Sequence, residues 1–400
     1  MHWLNTHRTI HPTLHWLRAL WLALIVAGCG GGVDSGGTGT TPASYANGPI
    51  TGFGSVIVNG VRFDDTNALV TDDGDESRRD KLRLGMTTEI RGSAITADAT
   101  GTLVSTASSI VFGSDILGRV DSIDLAAKRL VVLGQGVDVN AATVFDDESL
   151  SGGLPTVAVG DVVEVYALFN AATGRYTATR IERKKGEVTT YRLRGLVSNL
   201  DVVAKAFNIG SERISYDGFT GAPVTLADGN LVRVRLQTTK VAGVWLVAAF
   251  KDGAPKPRDR DDVRLEGRIS SFTSPTLFSV NGVTVNASTI GPLAGLALGV
   301  RVEIEGTSSE GVLLASKLKI KTEDEAGNQE FELRGQITSV DAANLRFVLR
   351  GVTVVYAVTA PATDFRNGTA ANLVKDANVE ARGVLSADGA RLLAARITFK

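Results

Sequence analysis

One pattern governs what this chain can fold into: it repeats itself five times. Five stretches open on glycine with an aliphatic residue two places on: "GPITG" at Gly48, "GRVDS" at Gly118, "GLVSN" at Gly195, "GRISS" at Gly267 and "GQITS" at Gly335. They lie 70, 77, 72 and 68 residues apart. A turn and strand follow, "NGVRF", "GVDV", "NGVTV" and "RGVTV", with "SERISY" in that place in the third unit. Next comes a turn leading into an alternating strand: "LGMTTEIRG", "VGDVVEVYA", "DGNLVRVRL", "LGVRVEIEG" and the divergent "KDANVEARG". A closing strand, such as "VLLASKLKIK", ends each unit. Four landmarks recurring in one order mark tandem copies of one structural unit. The copies are bounded as 48–113, 114–185, 186–258, 259–328 and 329–400.

Within the landmarks apolar residues alternate. In "VRVEIE", Val300, Val302 and Ile304 share one face and Arg301, Glu303 and Glu305 the other, the period of a half-buried strand. Room for a turn of helix exists only near 150–160 and 290–299. The abundance of glycine, 44 residues, with 6% aromatics suits short strands and many turns. A flat sheet of five or six strands would leave its edges open to aggregation, and closing into a small barrel removes them. The predicted fold class is therefore all-β: a tandem array of five small OB-like β-barrels. A continuous β-solenoid is the alternative, but its repeats usually run to about 20–50 residues. The charged junctions "RKKGEVTT", "KDGAPKPRDRDD" and "KTEDEAGNQE" predict separate beads, with Pro255 and Pro257 marking a hinge or spacer.

The Asn59-Gly60 pair inside "GSVIVNGVRF" could be read as a glycine-rich binding loop. It is better read as a two-residue type I′ turn, whose two central positions need positive φ. That turn would set Val58 opposite Val61 and Val56 opposite Phe63, with Ile57 and Arg62 on the other face. "FSVNGVTV" and "FVLRGVTV" repeat the arrangement, pairing Phe278 with Val285 and Phe347 with Val354.

Ahead of the repeats, Arg8 and Arg18 precede the apolar run "LRALWLALIVAG". The run is too short to span a bilayer, which needs about 20 residues, and has the length of a signal-peptide core. It ends in "VAGC", which resembles the lipobox of bacterial lipoprotein signals. The resemblance implies a signal peptide at 1–28, cleavage before Cys29 and acylation of that thiol, the only cysteine in the chain. Gly30 after it resembles signals routed to the outer membrane. Residues 29–47 then read as a Gly/Ser/Thr-rich tether with a reach of roughly 25 Å. Expected localisation is the envelope of a Gram-negative bacterium, anchored to the membrane through N-terminal acyl chains.

All four histidines, His2, His7, His11 and His15, fall within this segment. A chain cut before Cys29 has no histidine and no free thiol. Ser-His-Asp and Cys-His catalysis, His/Cys zinc sites, His-ligated haem and iron–sulfur clusters need residues it lacks. The net charge of −1 gives no reason to expect nucleic acid.

"GPITGFGSVIVNGVRFD" followed by "LRLGMTTEIRG" resembles the opening and middle of a bacterial family known as domain of unknown function 5666. The resemblance is closest in repeats one and four, fair in two and five, and poorest in three. It implies tandem domains in envelope lipoproteins and carries no assigned activity.

Candidate sites are few. The acidic stretch "FDDTNALVTDDGDESRRD" offers Asp72, Asp73, Asp75 and Glu76 as calcium ligands, but lacks the EF-hand spacing, and Arg78, Arg79 and Lys81 stand beside it. A solvated loop is the simpler expectation. Glu89, Glu164, Glu303 and Glu380 recur on the outward face of the third landmark, where a polar strand face is expected rather than a glycosidase pair. Tyr166, Phe169, Tyr176 and Trp245 are the aromatics available for stacking on a ligand, although Trp245 alternates with Val244 and Leu246 like a core residue. The basic run "RIERKK" reads as a solvated junction. No cofactor and no catalytic residue is expected. The function expected is a non-enzymatic binding or structural module with an unidentified protein or glycan partner. A glycan-binding or glycan-modifying protein and a calcium-stabilised adhesin are the alternatives.

Overall fold

The chain is seen in a computed structural model that describes residues 43–221, 226–259, 261–322, 325 and 328–400. The signal peptide, Cys29 and the tether up to residue 42 lie outside the described residues. Asn59 and Gly60 take φ of 50° and 73°, so the turn is of the expected left-handed kind. Val56 stands opposite Phe63, Ile57 opposite Arg62 and Val58 opposite Val61. Phe278 faces Val285 and Val280 faces Val283. Phe347 faces Val354 and Leu349 faces Val352. Repeat three turns at Gly210 instead, pairing Ala206–Ile209 with Glu212–Ser215.

The hairpins are built into closed circuits. In repeat one the opening strand Ala43–Phe53 pairs with Val56–Val58, which pairs with Val61–Asp64. That strand runs parallel to the closing strand Leu103–Phe112. The closing strand pairs with Thr87–Ser93, which returns to the opening strand. The strand order is thus 1-2-3-5-4-1, with strands 3 and 5 parallel, which is the connectivity of an OB-type barrel. The same circuit closes in repeat two, repeat three, repeat four and repeat five. Between the fourth and closing strands every circuit slips register, at Arg91/Gly92, Tyr166/Ala167, Arg235/Leu236, Glu305/Gly306 and Arg382/Gly383. Such bulges bend a sheet and help it close.

The opening glycine of each repeat has a packing reason. A Cβ on Gly118 would lie 2.2 Å from Leu133, and one on Gly267 would lie 2.4 Å from the amide of Asn281. Leu133 and Asn281 are the first residues of their hairpin turns, both at positive φ. The glycine makes room for the turn to fold back over the opening strand.

Several expectations are corrected. The tether ends sooner than its composition suggests, because residues 43–47 are already strand and pair with Thr87–Ser93. One 3₁₀ turn forms at Leu154–Thr156, whereas no named element occupies 290–299. The repeats are also not beads. From Thr41 to Lys400 the chain is one compact unit. The opening strand Ala43–Phe53 runs parallel to Asp262–Ser274 of repeat four, with Ser44 to Asn47 opposite Asp262 to Leu265. Further along it meets repeat five, Gly52 opposite Glu332 and Phe53 opposite Leu333. Repeats two and three join through Ile116 and Leu117, which stand opposite Leu193 and Arg192. Repeat one therefore pairs with repeats four and five, out of chain order, which no solenoid does. The proposed hinge is pinned. Gly253 and Pro255 are buried, and Arg194 Nε donates to the Gly253 carbonyl at 2.6 Å.

The cores follow these seams. One apolar cluster runs through repeats one and five, and a second through repeats two and three. A third fills repeat four and takes in Tyr45 from the opening strand of repeat one. Tyr45 is fully buried, and its hydroxyl donates to Glu89 Oε2 at 2.7 Å.

Candidate functional site

The acidic stretch of repeat one is an ordered hairpin. Leu69–Asp72 pairs with Asp75–Glu76, and the chain reverses at Asp73 and Gly74, with φ of 50° and 86°. Asp-Gly is a favoured pair for such a turn, so the signal was present in "DDGD". The hairpin docks against repeat three. Asp73 is buried, with Arg233 Nη1 at 2.8 Å, Arg235 and Lys251 each at 3.5 Å and Arg192 at 3.7 Å. Arg192 also reaches Asp72 at 3.1 Å and Glu164 at 3.5 Å, and Lys184 holds Glu164 at 2.6 Å. Arg235 also pairs with Asp75. Burial pushes the Asp73 carboxyl up, but Arg233, Arg192 and Lys251 outweigh it and hold it below the ordinary range. The same carboxylates keep the Arg192 guanidinium more basic than usual despite its burial.

This arrangement does not suit calcium. Asp72, Asp73 and Asp75 each face guanidinium or ammonium groups, and Glu76 is exposed. Among the described residues no three carboxylates converge on a common point. Arg192, Arg233, Arg235 and Lys251 neutralise Asp72, Asp73 and Asp75, whereas the sequence neighbours Arg79 and Arg78 pair with Asp65 and Asp80 of the same stretch. Arg233 and Arg235 alternate in "VRVRL", a cationic strand face whose partner could not be told from the chain alone.

The aromatic candidates are also displaced from any ligand-binding role. Tyr166 and Tyr176 are fully buried, and burial drives both hydroxyls well above their ordinary pKa. Tyr166 packs into the cluster of repeats one and five, and Tyr176 donates to the Arg194 carbonyl at 2.5 Å. Phe169 packs against Tyr176 at 4.9 Å between ring centroids. Trp245 is buried edge-on against Tyr191, and its indole donates to Glu212 Oε2 at 2.7 Å. The outward glutamates meet neighbouring groups more than solvent. Glu164 and Glu380 are buried, the latter 2.9 Å from both Arg382 and Lys400. In "RIERKK" Arg180 is buried against Asp146 at 3.0 Å, so that run is a seam rather than a solvated junction.

Concave surface is found where barrels meet. Asn47, Arg194, Arg233, Glu266 and Asn281 surround a central cavity of about 30 Å³, room for a water or two. Three grooves are larger. One of 640 Å³ between repeats three and four is lined by Asn230, Asp252, Ser270, Ser271 and Ser279. One of 520 Å³ lies between repeats two and five, where Gly389 accepts from the Phe145 amide at 2.9 Å and Ala390 enters the core of repeats two and three. One of 290 Å³ lies between repeats one and five. The described residues contain no histidine or cysteine, so proton transfer in these grooves would fall to carboxylates, Lys or Tyr.

The architecture is an all-β assembly of small closed barrels. Three stretches of the chain, 118–182, 266–319 and 334–398, match the family described as Domain of unknown function (DUF5666). These three stretches are similar to that domain and are consistent with its repetition along the chain. No curated protein matches it. The matched stretches fall in repeats two, four and five. Repeat one, where the resemblance looked closest, is outside them although its barrel closes the same way. Its acidic hairpin lies between the third and fourth strands of the circuit.

Proposed function

We propose that this protein is a non-enzymatic lipoprotein of the cell envelope, anchored at Cys29, whose barrels form one rigid scaffold that presents inter-repeat grooves to a partner. The observation that carries the anchor is the "VAGC" sequence closing an apolar run, with its cysteine the only one in the chain. Several acyl chains on one thiol give stable membrane attachment, at about 0.8 kcal/mol per buried CH₂. A scaffold role is supported by acids that are held in ion pairs across the seams, Asp73 by Arg233, Glu164 by Arg192 and Glu332 by Arg62. Placement in the outer membrane of a Gram-negative cell belongs to the same reading. Labelling with radioactive palmitate tests it. Wild type is expected to take up label and sediment with membranes, and Cys29→Ser to lose the label. A Cys29→Ser chain that still incorporates fatty acid would refute the anchor.

A glycan-binding reading is favoured by one feature, the hydroxyl-rich 640 Å³ groove with Ser270, Ser271, Ser279 and Asn230 on its walls. A glycan array probed with the full chain and with a Ser271→Trp variant checks it. Specific spots lost on filling the groove would support the reading, and a blank array would remove it.

A further inference from the structure

We propose that the groove between repeats one and five binds a phosphate-bearing ligand. Its apolar lining is Phe53 and Leu82, both buried. Arg79, Arg83 and Arg350 line it together with Asp65 and Asp80. The two carboxylates are already engaged. Asp65 lies 3.3 Å from Arg79, and Asp80 accepts from Arg78 Nε at 3.0 Å. The other two guanidiniums are not. Arg83 Nη1 donates to the carbonyls of Asp80 at 2.5 Å and Leu82 at 2.9 Å. Those bonds use one nitrogen of the group and engage none of its other donors in an ion pair. Arg350 Nε donates in the same way to the Arg334 carbonyl at 3.1 Å. Among the described residues no carboxylate pairs with Arg83, Arg334 or Arg350.

The contrast with the other seams gives this its weight. Arg62 grips Glu332 with two bonds of 2.6 Å, Arg192 and Arg233 converge on Asp73, and Arg301 holds Glu266 at 2.5 Å. Here Arg83 and Arg350 line one groove and are anchored through backbone carbonyls instead of carboxylates. A planar fork of N–H donors matches the oxygens of a tetrahedral phosphate. At 290 Å³ the groove takes a phosphate and a short apolar stub lying on Phe53 and Leu82. A lipid headgroup and a soluble organophosphate share that chemistry. The proposal stands whether or not Cys29 is acylated.

The test is calorimetric titration of the full chain in neutral detergent with two probes, inorganic phosphate and dihexanoyl phosphatidylglycerol. Wild type is expected to bind at least one of them. The double variant Arg83→Gln/Arg350→Gln is expected to bind about tenfold more weakly or worse, since it removes both charge-assisted donors. Binding of phosphate alone assigns a soluble ligand. Tighter binding of the phosphatidylglycerol assigns a headgroup, with the apolar lining used. A melting curve of the double variant shows that it is folded before its binding is read. Absence of binding by both probes, or binding that survives the double substitution, overturns the proposal.

Discussion

Replacing Asp73 with alanine is expected to destabilise the folded unit by about 3 kcal/mol. The carboxylate is buried against Arg233, Arg192, Arg235 and Lys251. Removing one member of a buried ion cluster leaves the rest desolvated and unanswered, which costs about 3–5 kcal/mol. The lower end applies because Arg235 and Lys251 reach solvent. Asp73→Asn keeps the shape and removes the charge, so it separates charge from packing. The loss should also depend on pH. The folded carboxyl titrates below the ordinary value, which is about 3.9 unfolded. A depressed carboxyl stabilises the fold above the unfolded pKa, and that contribution disappears as pH falls through the folded value. The gap between wild type and Asp73→Ala should therefore be constant near neutrality and shrink below about pH 4. Urea unfolding followed by circular dichroism measures it. A gap that persists undiminished in acid would mean that the hairpin is held by its backbone, not by its charge.

What could be read in the chain was local. Alternation and turn chemistry fix strands and hairpins, and Val56, Val58, Phe63 and their counterparts took the predicted partners because a two-residue turn leaves one register. The circuit of each barrel followed from strand count and the need to hide edges. The relation between repeats was not legible. Charged junctions look alike whether they separate beads or run through a seam, and nothing local marks Ala43–Phe53 as the strand that meets repeats four and five. Glu164, Arg180 and Glu380 alternate like solvent-facing residues, and they do face out of their own barrels. Glu164 and Arg180 are covered by groups of a neighbouring repeat, Arg192 and Leu84, whereas Glu380 is held by Arg382 and Lys400 of its own. Tyr166 is core because it packs into the cluster of repeats one and five, outside its own barrel's core, whereas Tyr176 stands opposite Val137 within the core of repeats two and three. Sequence neighbours answer only the ends of the acidic stretch, Arg79 at Asp65 and Arg78 at Asp80, while the groups that answer Asp72 and Asp73 lie more than a hundred residues away.

Substituting Gly383 by alanine is expected to cost about 2–3 kcal/mol, the range of overpacking in a closed interior. Gly383 has no special φ, so the argument is one of space. It lies at the bulge where the fourth strand of repeat five slips against the closing strand. A Cβ there would lie 1.9 Å from the Leu393 carbonyl oxygen and 3.0 Å from the Ala394 Cα. Both atoms are backbone, so no rotamer change relieves the clash and the two strands must part. Ala167 and Leu236 stand at the corresponding slips of repeats two and three. The bulge can thus be built around a side chain, which keeps the cost below that of a lost barrel. Because repeats one and five share one core, the strain should lower the stability of both. Gly60→Ala supplies the comparison. Its Cβ would meet nothing within 4 Å, but its φ is +73°, a penalty of about 1–2 kcal/mol carried by backbone conformation alone. Urea midpoints should rank wild type highest, Gly60→Ala next and Gly383→Ala lowest. The reverse order of the two variants would show that the bulge yields easily and that turn geometry, not strand contact, limits closure of these barrels.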